Sequence, residues 1–444
     1  MRAEKSFGCL AAAMLAMVAT LACSPIVRRD LNSGAGGDHG GDPAGGAMAT
    51  GGDPGSGGVT DTGGDPGTGG GVMDSGGSPG LGGVTGAGGV TGMGGEGLTG
   101  GTTSTGGIVA VTGGSSGSGL GGTTSAVCGL GTSYGWNATG SLMDPVSDGS
   151  HQLVGIKAPS VVFYNSRYHV FATVLNTAAS PTIEHIQFVD WPNASSATVE
   201  YLDNTAAFGT GRSQPQVFYH QAKKTWYLVS QASGPGYSTN ADVTLTSGWT
   251  KPTNFYASTP TIVTQNAGAG GVGWTDFWVI CDSSNCYLFF VNTVGYLFRA
   301  QTTAGNFPNG FGDPVVVMQS ANTVGGGARV YKVNGGSGGY LMLIEGKGSG
   351  GVFVGAWSAT ALDGKWTALA ESEANPFAGK SNANYGNNQW TWDVGHGELV
   401  RSGYDETMTI ENCNFRYLYA GKDHFSTAKA EPYPWKLGLL VRSK

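Results

Sequence analysis

The sequence predicts an all-β fold, a five-bladed β-propeller, on three observations. Five stretches share one design: a β-rich run, a polar or glycine turn, and a second aromatic-rich run. Their starts at Pro159, Pro215, Phe277, Ala328 and Gly397 lie 51 to 69 residues apart. Helical periodicity is nearly absent along the same residues. Repeats long enough for four strands each point to blades around a central channel. A β-sandwich would show shorter and more even strand spacing.

The elements before the repeats read differently. Residues 1–22 have the form of an export signal: Arg2 and Lys5 precede an apolar stretch from Phe7 to Ala22 that is too short and Ala-rich for a membrane span. It ends in "TLAC", Thr20 to Cys23, which is similar to a bacterial lipobox whose Cys is lipidated. Thr20 departs from the usual aliphatic residue, so ordinary cleavage after a nearby alanine is the alternative. The expected location is the outer membrane or cell surface as a lipoprotein, or the secreted fraction, with membrane contact only through the lipid. Residues 23–127 hold half of the 80 glycines, in units such as "GGDPGSGG" and "GGDPGTGG", and contain no Phe, Tyr or Trp. Such a segment cannot bury enough apolar surface to offset its chain entropy, so a disordered tether is expected. A Gly-rich coil of ~100 residues holds its ends ~55 Å apart. All 11 Trp follow Cys128, and residues 128–444 can form one large core.

The formal charge of −7 and the lack of a basic cluster interleaved with aromatics argue against nucleic acid as a partner. A monomer is expected. Of six cysteines, Cys9 leaves with the signal and Cys23 is the proposed anchor. Four remain in an exported domain, which favours disulfides. "CDSSNC" has no second Cys or His pair at zinc-ligand spacing. Cys281 is expected to pair with Cys286 across a hairpin turn and Cys128 with Cys413, one of three possible pairings. The final "WKLGLLVRSK" is expected to close the ring by joining N-terminal strands.

Ligand sites of propellers lie at the channel, lined by the innermost strand of each blade. The candidates are Lys157 and Ala158 in blade 1, Arg212 and Gln214 in blade 2, Asp276 in blade 3, Arg329 in blade 4, and His396 and Glu398 in blade 5. With Trp274, Trp278, Trp390 and Trp392 nearby, a polar channel of this kind suits a sugar. Each residue also has a plain structural reading. Asp276 could cap a strand, His396 and Glu398 could form a buried pair, and Lys157 and Arg401 could be surface charges. Most Trp could be blade packing. No Ser-His-Asp or Cys-His arrangement is readable.

At these residues the chain resembles glycoside hydrolase family 62, α-L-arabinofuranosidases that remove arabinose branches from arabinoxylan. The resemblance runs from about Cys128 to Lys444 and rests on "KAPSVVFYNSRYHVFA", "YLDNTAAFGTG", "GWTKPTNFYASTP", "DFWVICDSSNCYLFF", "ESEANPFAG", "GHGELVRSGYD" and "PWKLGLL". It implies a five-bladed propeller, arabinoxylan or arabinoxylo-oligosaccharides as ligand, and a calcium ion in the channel near His396. It implies sugar-binding roles for Lys157, Gln214, Pro215, Trp274 and Arg401.

The family reaction is inverting: one carboxylate activates water while a carboxylic acid protonates the leaving oxygen. The resemblance carries the acid-tuning Asp onto Asp276. It carries the general base onto Ala158 and, counting back from the "VYKV" strand, the general acid onto Gly326. No acid lies between Asp313 and Glu345, and Glu345 matches a different family Glu that is not expected to reach the same point. The expectation is therefore a glycan-binding or very weak relative with a disabled acid–base pair. The alternative is an active arabinofuranosidase that uses Asp276 or a displaced carboxylate. Loss of both charges relieves like-charge repulsion in the pocket.

Overall fold

The computed structural model describes residues 129–268, 273–336, 338–425 and 434–443. The predicted signal, the tether, Cys23 and Cys128 lie outside the described residues. Cys413 is disulfide-bonded, but its expected partner Cys128 is among those not described. The pairing of Cys281 with Cys286 is present, with an S–S distance of 2.04 Å.

Five sheets form the five predicted blades. A short strand, β1 (Trp136–Ala138), precedes the first. Blade 1 holds β2 (Leu153–Tyr164), β3 (Arg167–Asn176), β4 (Pro181–Phe188) and β5 (Thr198–Tyr201). Blade 2 holds β6 (Ser213–His220), β7 (Thr225–Gln231), β8 (Pro235–Asn240) and β9 (Thr253–Asn254). Blade 3 holds β10 (Thr275–Cys281), β11 (Asn285–Val291), β12 (Tyr296–Thr303) and β13 (Val315–Gln319). Blade 4 holds β14 (Gly326–Asn334), β15 (Tyr340–Gly348), β16 (Gly351–Ala359), β17 (Thr367–Ser372) and β18 (Asn375–Pro376). Two short strands, β19 (Ala383–Asn384) and β21 (Thr409–Glu411), flank β20 (Gly395–Leu399) in sequence. Blade 5 then gains β22 (Arg416–Lys422) and β23 (Trp435–Arg442).

Local chemistry sets the hairpins. Asn165 and Ser166 join β2 to β3 with φ of 49° and 60°, the two left-handed residues that a two-residue type I′ turn requires. Asp282 accepts hydrogen bonds from the Ser284 and Asn285 backbone N–H groups and so turns β10 into β11 beside the disulfide. Middle strands such as β11, "NCYLFFV", are apolar on both faces because a neighbouring blade covers each side. The core is accordingly a set of blade interfaces. Val161 and Val170 of blade 1 pack with Leu418, Leu437 and Leu439 of blade 5. Their chain neighbours Val162 and Phe171 face the other way, onto Val217 and Leu228 of blade 2.

Ring closure follows the predicted route. In blade 5 the order is β20-β22-β23-β1-β19, so the last strand and the first lie side by side. Trp136 faces Arg442 and Ala138 faces Leu440 across that antiparallel pair.

Candidate functional site

Each innermost strand breaks register near its start. The shifts fall between Lys157 and Ser160, Ser213 and Gln216, Thr275 and Trp278, Gly326 and Ala328, and Gly395 and Glu398. In four blades the bulge contains a left-handed non-glycine residue: Ala158 (φ 50°), Gln214 (φ 56°), Asp276 (φ 59°) and His396 (φ 44°). Such a residue costs on the order of 1–3 kcal/mol. A bulge re-aims one side chain out of the strand alternation. Four of them at equivalent places around one axis mark where the fold presents its functional groups.

Near each bulge a second kind of residue ties blade to blade. Ser160 Oγ accepts from Val217 N–H at 3.0 Å. Gln216 holds both Val279 backbone groups, at 2.6 and 2.7 Å. Trp278 Nε1 donates to Val330 O at 2.9 Å, and Tyr331 Oη accepts from Leu399 N–H at 3.0 Å. Glu398 Oε2 accepts from Val161 N–H at 3.3 Å and completes the ring.

The pocket residues meet in the channel. Gln214 is anchored by its N–H to Thr173 Oγ1 at 2.8 Å, and its Oε1 has no protein partner. Asp276 donates its N–H to Gln231 Oε1 at 2.8 Å, while its Oδ1 is buried and unpartnered. His396 Nδ1 lies 2.6 Å from Glu345 Oε2, and the His396 N–H donates to the same oxygen at 2.8 Å. Burial pushes the Glu345 carboxyl up, but the His396 charge, the two His396 hydrogen bonds and Lys157 together hold it below the usual range. Burial lowers the Lys157 ammonium, against the opposing pull of Asp276 and Glu345. Pro215 is buried in the blade 2 bulge.

The structure corrects two expectations. Glu345 comes closer than expected to Gly326, where the resemblance puts the general acid: a Cβ on Gly326 would stand 2.9 Å from Glu345 Oε1. A Cβ on Gly327 would meet Arg329 Nη1 at 2.7 Å and Asp276 Cβ at 3.1 Å, so the guanidinium also borders that space. Arg401 is not a pocket residue. Its side chain is fully buried, with Nε 2.7 Å from Glu398 Oε1 and Nη2 donating to Val161 O at 3.1 Å and Val217 O at 2.7 Å. It ties blades 1, 2 and 5 together. Glu398 pairs with Arg401 rather than with His396.

The aromatics divide in the same way. Trp278 is a fully buried blade staple, and Trp392 stacks on His424 with centroids 3.8 Å apart. Trp274 is wedged edge-on against Phe277 and Phe290. Sequence reasoning missed Trp435 and Lys422. Lys157 Nζ and Lys422 Nζ lie 5.9 and 5.2 Å from the Trp435 ring, and His396 lies edge-on to it at 6.0 Å. The "PWKLGLL" segment quoted for the resemblance contained this Trp, but nothing local marked it as a channel residue.

The residues present do not fit the calcium ion that the resemblance implies. Calcium takes six to eight oxygens. Here Glu345 is already engaged by His396, and Arg329 borders the same cavity, which holds about 10 Å³, space for one water. Among the described residues, the grouping close enough to hold a metal is His220, Cys281 and Cys286, whose sulfurs are joined in the disulfide.

Fold and site together define a β-propeller protein that presents a carboxylate, an amide, an ammonium and an imidazole in its channel. Comparison with known proteins is specific. The model of the family described as Glycosyl hydrolase family 62 matches residues 135–441. The chain belongs to glycosyl hydrolase family 62. It is 38% identical over 326 residues to alpha-L-arabinofuranosidase C of Cellvibrio japonicus, an alignment that covers 72% of this chain and 49% of that protein. The chain thus spans about half the length of the curated relative it matches. The catalytic domain of a Coprinopsis cinerea GH62 α-L-arabinofuranosidase is 45% identical, with a TM-score of 0.67 over 71% of this chain and 98% of that one. The Podospora anserina α-L-arabinofuranosidase PaAbf62A, solved with cellotriose, is 38% identical with a TM-score of 0.67 and the same coverage. A GH62 hydrolase solved with xylotriose is 36% identical, with a TM-score of 0.66 over 70% of this chain and 98% of that one.

Proposed function

We propose that the chain binds branched xylan at the channel and hydrolyses arabinofuranosyl branches at most very slowly. One observation carries this reading: Ala158 and Gly326 stand where the family resemblance puts the general base and the general acid. General acid–base groups each contribute ~10²–10⁴-fold, so loss of both is expected to slow arabinose release by at least about 10⁴-fold. Retention of Lys157, Gln214, Asp276 and His396 around the channel supports a kept sugar pocket. The relatives solved with xylotriose and cellotriose support a glycan ligand. The signal-like residues 1–22 and the Gly-rich residues 23–127 support a monomer outside the cytoplasm, tethered through Cys23 or secreted.

Glu345 is the observation behind a second reading, in which a displaced carboxylate does the acid's work. His396 and Lys157 hold it ionised, the wrong state for a proton donor near neutral pH. The test is arabinose release from arabinoxylan, with calorimetry on arabinoxylo-oligosaccharides. Binding without release at a working glycosidase's rate is expected. Fast release would overturn the proposal, and its loss in Glu345→Gln would assign the acid to Glu345. No binding and no release would overturn both readings.

A further inference from the structure

Where the resemblance puts two carboxylates the chain has Ala158 and Gly326, while buried cations stand close by. Lys157 is 8% exposed and Arg329 4%, and neither forms an ion pair among the described residues. Arg329 Nε is buried with no partner. Lys422, also without an ion pair among the described residues, shares the Trp435 ring with Lys157, so two ammonium groups crowd one indole. Among the described residues the carboxylates nearby are Asp276, Glu345 and Glu398, of which Glu345 is engaged by His396 and Glu398 by Arg401. Three cations therefore stand against one free carboxylate. A buried cation without a counter-charge is costly, and a ligand that supplies the charge recovers that cost.

We propose that the pocket prefers a sugar bearing a carboxylate, a uronate branch on the xylan chain, to a neutral pentose. The carboxylate sits beside Lys157 and Lys422, with the sugar ring against Trp435. This rests on the reading of the site as a glycan pocket and changes the sugar placed in it.

The test is calorimetry with the full chain and three probes: a xylo-oligosaccharide with a glucuronate branch, one with a neutral arabinose branch, and acetate. The acidic branch is expected to bind about tenfold tighter than the neutral one at low salt, with most of that preference lost in high salt. Lys422→Met, at a partly exposed position, is expected to remove most of the preference, and Ala158→Asp to weaken it by placing a carboxylate next to Lys157. Equal or tighter binding of the neutral branch overturns this proposal and leaves the glycan-binding reading standing. Binding of neither overturns both. Competition by acetate at the oligosaccharide's own concentration overturns the sugar assignment in favour of a bare carboxylate site.

Discussion

Ala158 is a fully buried alanine in a conformation that alanine rarely adopts, and this has a measurable consequence. Aspartate tolerates the left-handed region better than most residues, whereas a β-branched side chain there is a true outlier. Ala158→Asp is therefore expected to fold with stability within about 1 kcal/mol of the parent, and Ala158→Val to lose about 2 kcal/mol or more. Urea midpoints measure both, and equal losses would show that φ does not control the position. Asp alone should not restore hydrolysis. Its partner at residue 326 would have to displace Glu345, which a Cβ there meets at 2.9 Å, and so break the hold on His396. Two residues were misjudged from sequence for one physical reason. The directions of Glu345 and Arg401 depend on how the bulges turn neighbouring strands, and a single Gln, Asp, His or Ala is too weak a signal of a left-handed backbone to locate a bulge.

Strands and hairpins were more legible. The five first strands, the Cys281–Cys286 turn and the use of the last strand for closure all follow from runs of buried β-formers between turn residues. Their signal is local, and a bulge does not erase it. The short strands β1, β9, β18 and β19 carry too few residues for any pattern to show. One of them nonetheless closes the ring. Trp136 in β1 is 1% exposed and packs edge-on to Phe377, whose carbonyl takes its indole N–H. Trp136→Ala is expected to cost about 3–5 kcal/mol, seen as a lower urea midpoint. A change below 1 kcal/mol would mean that the closing strand contributes little.

At the scale of the whole molecule, β4 places two opposed titrations side by side. Burial without any partner raises Glu184 from its ordinary 4.5 to about 8. Burial, then the neighbouring His169, lowers His185 from 6.5 to about 3. Between pH 4.5 and 8 the folded chain keeps a Glu184 proton that the unfolded chain has lost, so this group makes stability fall as pH rises. Between pH 3 and 6.5 the unfolded chain holds a His185 proton that the folded chain lacks, so stability falls as pH drops. The two slopes, each about 1.4 kcal/mol per pH unit, cancel from pH 4.5 to 6.5. Glu184→Met is expected to recover about 2 kcal/mol at pH 8 relative to pH 6.5 and, with the cancelling slope gone, to lose stability from pH 6.5 down to 4.5, where the parent is level. Thermal melts across pH would refute this if parent and variant fell in parallel. The ring of blade staples has a different consequence. Ser160, Gln216, Trp278 and Glu398 each stand two positions beyond a left-handed residue and grip the next blade, while among the described residues the left-handed residue itself hydrogen-bonds nothing outside its own blade through its side chain, save His396, which clasps Glu345. Chemistry and closure are thus carried by separate residues two steps apart. A propeller wired this way can exchange the residue at a left-handed position, alanine at 158 or histidine at 396, and remain a closed ring on which selection can try another ligand.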